Sequence, residues 1–155
     1  MLSSALYVAF VFCGILFMAE ALAYPGKRYV SCGASYLKLG CYNDKHARGH
    51  RPLSNLLFTD RDPKSYKFSG KRIDWENLDS YMKDVVCRCA EQAKAQGYMF
   101  FGLQFYGECW ASEEFTFNID GLGEGCMSSD YEPCTVSSSL CVGEGFSLFV
   151  YNVRQ

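Results

Sequence analysis

Gly97-Tyr98-Met99-Phe100-Phe101-Gly102-Leu103-Gln104-Phe105-Tyr106-Gly107-Glu108-Cys109-Trp110 is the most apolar and aromatic stretch of the chain beyond its amino-terminal segment. Its alternation predicts a strand over Tyr98 to Tyr106. Met99, Phe101, Leu103 and Phe105 point one way, and Tyr98, Phe100, Gln104 and Tyr106 the other. Both faces carry bulky side chains, so the strand needs cover on both sides and belongs in the middle of a sheet. Gly102 leaves room for another element to approach closely. Gly107 before Glu108-Cys109-Trp110 predicts a turn tied down by a disulfide.

Upstream of this strand, Trp75, Leu78, Tyr81, Met82, Val85, Val86, Cys89, Ala90 and Ala93 recur at intervals of three and four. That period predicts an amphipathic helix from about Asp74 to Gln96, with Asp74 as its N-cap, Trp75 on the buried stripe and Gly97 as its stop. Cys89 falls on the buried stripe. Cys87, about 200° round the helix, points elsewhere, so two bridges leave one helix in different directions. Strands are expected at Ser35 to Tyr42, with Leu37, Leu39 and Cys41 on one side and Lys38 on the other, and at Phe146 to Val153. Asn43-Asp44 ends the first as a turn. A shorter candidate is Phe115 to Phe117. Lys45 to Arg72, broken by Pro52, Pro63 and Gly70, reads as the loop-rich part. The fold class is therefore α+β: a small disulfide-rich domain in which an antiparallel sheet packs against one main helix.

The uncharged run from Ala5 to Ala19, followed by Ala21-Leu22-Ala23, has the length and the small-x-small ending of a signal peptide, whereas a spanning helix needs about 20 apolar residues. Residues 1–23 are read as that signal, 24–35 as an arm with a basic pair at Lys27-Arg28, and 36–155 as the domain. The expected location is secreted and extracellular, with no membrane span after cleavage. Cys13 leaves with the signal, and the remaining Cys32, Cys41, Cys87, Cys89, Cys109, Cys126, Cys134 and Cys141 are an even set, as four bridges in an oxidising compartment require. The sequence leaves their pairing open. No C-x2-C spacing suggests zinc.

Charge is divided along the chain. Tyr24 to Lys94 holds fourteen Lys and Arg against eight Asp and Glu, while Ala95 to Val153 holds eight acids and no Lys or Arg. Either the halves interleave in space, or they form a dipolar surface whose basic side suits sulfated glycans and whose acidic side suits cations. Lys45, His46, Arg48, His50 and Arg51 form a basic cluster in the loop-rich part, read as solvated, with an anion contact as the alternative. Gly49 and Pro52 argue against a helix that would turn the two histidines into metal ligands. Glu113, Glu114 and Asp120, near the Asn118 to Glu124 turn, are the residues for a weak calcium site; otherwise no metal or cofactor is expected.

No Gly-x-Ser-x-Gly, no phosphate-cradling glycine loop and no unpaired cysteine nucleophile occur, and two histidines in one basic loop are a poor base-and-orienter pair. Catalysis is not expected, nor is a nucleic-acid partner. Recognition is. Trp75, Trp110, Tyr106 and Tyr131 offer flat apolar faces with polar edges of the kind that stack on sugar rings or anchor a protein; Trp75 is read as core from its place on the helical stripe, and Trp110, beside a cysteine at a strand end, as the ligand-site candidate.

Gly40-Cys41-Tyr42-Asn43-Asp44, Arg51-Pro52-Leu53, the helix cysteine Cys89 and the run from Gly97 to Gln104 leading to Glu108-Cys109 resemble the WSC domain, and more closely the WSC-related modules of invertebrate secreted and extracellular-matrix proteins. The likeness spans about residues 36–153. It implies a disulfide-bonded α+β carbohydrate-binding module, and thus a glycan or extracellular-matrix partner, with a biomineral-associated matrix as a variant. The ligand-site candidates are Trp110 with its neighbours Tyr106, Glu108 and Gln104. The chain departs from the family in the closeness of Cys87 to Cys89 and in having Cys109-Trp110-Ala111 where the family has Cys-x-Cys, so no pairing carries over. The alternative function is a protein-directed ligand such as a toxin, defence factor or inhibitor.

Overall fold

Phe100 to Gln104 forms an interior strand because its two neighbours satisfy its backbone on both edges and its two faces are covered by different elements. The computed structural model describes residues 30–45, 49–116, 119–135 and 137–155. The expected signal segment with Cys13, Lys27-Arg28, His46, Arg48, Phe117 and Asn118 lie outside the described residues. Among the described residues the strands are β1 (Val30–Ser31), β2 (Ser35–Asn43), β3 (Asn55–Thr59), β4 (Phe100–Gln104), β5 (Glu108–Ser112), β6 (Cys126–Met127), β7 (Val142–Gly143) and β8 (Ser147–Val153), and the helix is α1 (Leu78–Ala95). Six strands form one antiparallel sheet in the order β1-β2-β8-β4-β5-β3, and β6 and β7 pair separately.

One face of the sheet packs on α1. Leu78, Tyr81, Met82, Val85, Val86, Cys89, Ala90 and Ala93 are all buried, against Phe101 and Leu103 of β4 and Phe149, Tyr151 and Val153 of β8. Each large side chain removed from water contributes about 1.5–3 kcal/mol. Four disulfides tie this layer: Cys32–Cys87, Cys41–Cys126, Cys89–Cys109 and Cys134–Cys141. The two helix cysteines do diverge, Cys87 to the segment after β1 and Cys89 to β5. The opposite face carries a smaller cluster, in which Leu53, Leu148 and Val150 are fully buried with Tyr42, Phe100, Trp110 and Phe115 around them. Gly102 serves this face: a Cβ there would stand 2.9 Å from Leu148 Cδ1 and 3.0 Å from the Phe149 carbonyl.

Several expectations are corrected. The helix begins at Leu78, because Asp74 Oδ1 accepts from the amides of Glu76 and Asn77 at 3.1 and 3.0 Å and holds residues 74–77 in a turn outside it. Trp75 consequently leaves the buried stripe and is 52% exposed. Gly97 does end the helix in a left-handed conformation, φ 79°. The central strand stops at Gln104, since Phe105 and Tyr106 have φ 47° and 62° and turn the chain, and Met99 before it is half exposed. In β2 a bulge between Lys38 and Gly40 resets the alternation, so Leu39 is turned outward and Cys41 joins Tyr36 on the helix face. The loop-rich part contains β3, an edge strand paired with β5, and its lead-in carries the fully buried Leu53. Phe115 packs beside Tyr42 and is not in a strand.

Candidate functional site

The end of the sheet where β4 turns into β5 collects the carboxyl ends of β2, β3 and β4, the amino ends of β5 and β8, and the start of α1. On the face away from the helix, register places Gln104 opposite Glu108, and Trp110 opposite Gly102 and Leu56. The missing side chain at Gly102 lets Leu148 pack at the centre of this face, while Trp110 lies toward its β3 side.

Arg51 comes over this surface from the segment before Leu53. Its guanidinium carbon stands 3.4 Å from the centroid of the Trp110 ring, and Nη2 donates to both Asp44 Oδ2 and Gln104 Oε1. Asp44 and Gln104 are buried, at 0% and 2% exposure. A buried carboxylate requires such a counterion, since desolvation otherwise costs several kcal/mol. Arg51 Nε is also buried and makes no hydrogen bond to any described residue. On the far side of Trp110, its Nε1 donates to Glu108 Oε2 at 3.3 Å, and Glu108 Oε1 accepts from Arg61 Nη1 at 3.3 Å. Arg61 in turn lies 3.9 Å over the Phe105 ring, and Phe105 meets Phe146 at 6.4 Å in an edge-on contact. The chain of contacts runs Asp44, Arg51, Trp110, Glu108, Arg61, Phe105, Phe146. These groups, Asp44 and Arg61 apart, border a cleft of about 340 Å³ that Gln104, Leu56 and Thr59 also line.

Of the four ligand residues expected from sequence, Trp110, Glu108 and Gln104 are brought together here. Tyr106 is not: its left-handed backbone sends the ring to the other side of the turn, edge-on to Trp75 at 5.0 Å. Sequence reasoning missed Arg51, which it placed in a solvated basic loop, along with Asp44, read only as a turn residue, and Arg61, Phe105 and Phe146. The Arg51-Pro52-Leu53 run held the one usable signal, because an apolar Leu two residues from an Arg inside a polar segment marks a place where that segment touches the core.

The acidic half of the sequence bears on the weak calcium site expected from Glu113, Glu114 and Asp120. Among the described residues no three His, Cys, Asp or Glu side chains are grouped to hold a metal ion. Asp120 Oδ2 accepts from the Lys45 amide at 2.7 Å, and Glu113 and Glu114 are exposed. Among the described residues no helix is long and apolar enough to cross a membrane. No protein-family model matches the chain, and a search of curated proteins gives no match either.

Proposed function

We propose that the protein is a secreted, non-catalytic binding module whose ligand is a glycan, presented free or within an extracellular matrix, and that the Trp110 cleft is its binding site. The observation that carries this reading is the Arg51–Trp110–Glu108–Arg61 array, in which flat apolar surfaces and planar polar groups are already locked together before any ligand arrives. Sugar rings have the matching chemistry: C–H faces that stack on aromatic rings, and hydroxyl pairs that accept bidentate hydrogen bonds from guanidinium groups and donate them to carboxylates. Holding the polar groups in place beforehand lowers the entropic cost of binding. Arg51 is paired with Asp44 and Arg61 with Glu108, so the cleft favours a neutral saccharide over the sulfated one that the basic sequence cluster had suggested. Four disulfides suit an oxidising, extracellular setting, and the likeness to WSC-related modules agrees with it.

A glycan array probed with the wild type, Phe146→Ala and Trp110→Ala tests the proposal. Phe146 is 63% exposed, so its removal leaves the core alone, and Trp110→Ala reports on the cleft floor. Binding of neutral glycans that both substitutions reduce supports the reading. Silence of the folded wild type across the array overturns it in favour of a protein-directed ligand such as a toxin, defence factor or inhibitor.

A further inference from the structure

Among the described residues four that are not glycine have left-handed backbone: Phe105, Tyr106, Tyr131 and Phe146, with φ between 47° and 62°. All four are aromatic. That conformation is unfavourable for any residue with a Cβ, and residues held in it cluster at binding sites. Phe105 and Phe146 are accounted for by the cleft. Tyr106 and Tyr131 are not, and they lie on the other side of the β4–β5 turn.

There Tyr106 meets Trp75 at 5.0 Å with the rings inclined at 65°, which makes an open aromatic corner. Trp75 and Tyr131 are 52% and 50% exposed. The Tyr131 loop is fastened to the start of α1, where Ser129 Oγ donates to Asp79 Oδ1 at 3.1 Å. Tyr106 OH donates to Glu144 Oε1 at 3.3 Å, and burial, then Glu144 and Tyr131, push its phenol up to about 12. Glu144 is exposed, as are Glu76 beside Trp75 and Asp130 and Glu132 on either side of Tyr131. Asp79 has Lys83 as its partner at 2.5 Å, but the whole stretch from Ala95 to Val153, which supplies Tyr106, Tyr131 and Glu144, contains no Lys or Arg.

Aromatic faces carry negative potential and a carboxylate adds to it, so the surface suits an organic ammonium cation. Glu144 meets the corner through Tyr106, and one carboxylate lacks the oxygen ligands a calcium ion needs. We propose that Trp75, Tyr106 and Tyr131, with Glu144, form a subsite for a substituted ammonium group. Because Phe105 and Tyr106 are consecutive, this subsite adjoins the cleft across a single turn. Resting on the glycan reading, the inference further assigns the ammonium to an amino-sugar unit next to the one held over Trp110.

Two titrations at fixed ionic strength test this. Tetramethylammonium chloride, followed by tryptophan fluorescence against sodium chloride, should give a saturable response that Tyr131→Ala and Glu144→Gln each weaken about tenfold; a linear response equal to that of sodium overturns the subsite. Protonated glucosamine oligomers compared with their N-acetylated counterparts then separate the sources. A preference for the charged oligomers that disappears in Glu144→Gln supports the amino-sugar assignment. If tetramethylammonium saturates but neither oligomer binds, the ammonium subsite stands and the amino-sugar assignment falls with the glycan reading. If both oligomers bind equally and tetramethylammonium does not saturate, the cleft stands and the subsite falls.

Discussion

Asp60 and Asp44 are both buried aspartates at the same end of the sheet, each paired with an arginine whose side chain is about one-fifth exposed. Asp60 faces the helix. It accepts from Tyr81 OH at 2.9 Å, from Arg88 Nη2 at 2.5 Å and from Ser69 Oγ, while its amide donates to the Gly107 carbonyl at 2.8 Å. One carboxylate thus joins the segment after β3, the helix and the β4–β5 turn, and Arg88 is held further by Asp84 at 2.6 Å. Asp44 faces the other way. Its arginine is spread over Trp110 and Gln104 at the edge of a cleft, with Nε left without a hydrogen bond to the described residues. The difference lies in what each pair gathers: the Asp60 carboxylate collects three side chains, from the segment after β3 and from the helix, and so holds elements together, whereas Arg51 carries its pair to the Trp110 ring and the border of the cleft.

The largest expected effect follows from the helix face, where Tyr36, Tyr81 and Tyr151 are buried. Burial pushes Tyr36 up to about 12, and raises Tyr81, with help from Asp60, and Tyr151 as well. The native state keeps protons that the unfolded chain releases near pH 10, so stability is intact below that pH and falls as pH rises toward 12, by about 4 kcal/mol per pH unit for three such groups. Tyrosinate absorbance should lag until the far-ultraviolet circular dichroism collapses with it. Phenols that all ionise near pH 10 with the helix intact would contradict the buried layer.

Next, Asp60→Ala should lower unfolding stability by about 3–5 kcal/mol in urea, because Arg88 then keeps a buried charge without its main partner. Asp44→Ala should cost less, about 1–3 kcal/mol, since Arg51 retains Trp110 and Gln104, but it should abolish most ligand binding. Equal stability losses, or binding that survives Asp44→Ala, would erase the distinction between the two pairs. The smallest effect has the opposite sign. Phe146→Gly should raise stability by about 1 kcal/mol by relieving a left-handed phenylalanine, while weakening ligand binding; a thermal melt showing a loss would mean that Phe146 has a packing role.

The helix stripe, the diverging Cys87 and Cys89 bridges, the four-bridge framework and the two strands flanking the core were legible because each is a regular pattern of apolar residues or an even cysteine count. The misreadings have a common physical cause. Asp74 looks like an N-cap, but its Asx turn competes with the helix, and Trp75 moves outward as a result. A bulge in β2 and left-handed residues at Phe105 and Tyr106 interrupt the period that strand reading relies on. β3 is a five-residue edge strand set among charged and turn residues, with no alternation strong enough to stand out. The site was half legible: Trp110, Glu108 and Gln104 share one strand-turn-strand unit, whereas Asp44, Arg51 and Phe146 reach it from distant segments, and only folding brings those together.

On the proposed function, the cleft beside Trp110 receives the ligand. The chain has two tryptophans, Trp75 and Trp110, so an amide and indole nitrogen–proton spectrum contains two indole signals, one for each side of the turn. Titrating a neutral oligosaccharide selected on the glycan array should move the Trp110 indole signal together with the Glu108 and Phe146 amides, saturably, while buried helix-face amides such as Val85 and Leu103 stay in place. Saturable shifts confined to another surface, such as the groove of about 650 Å³ between α1 and Tyr66, with the Trp110 signal unmoved, would contradict it.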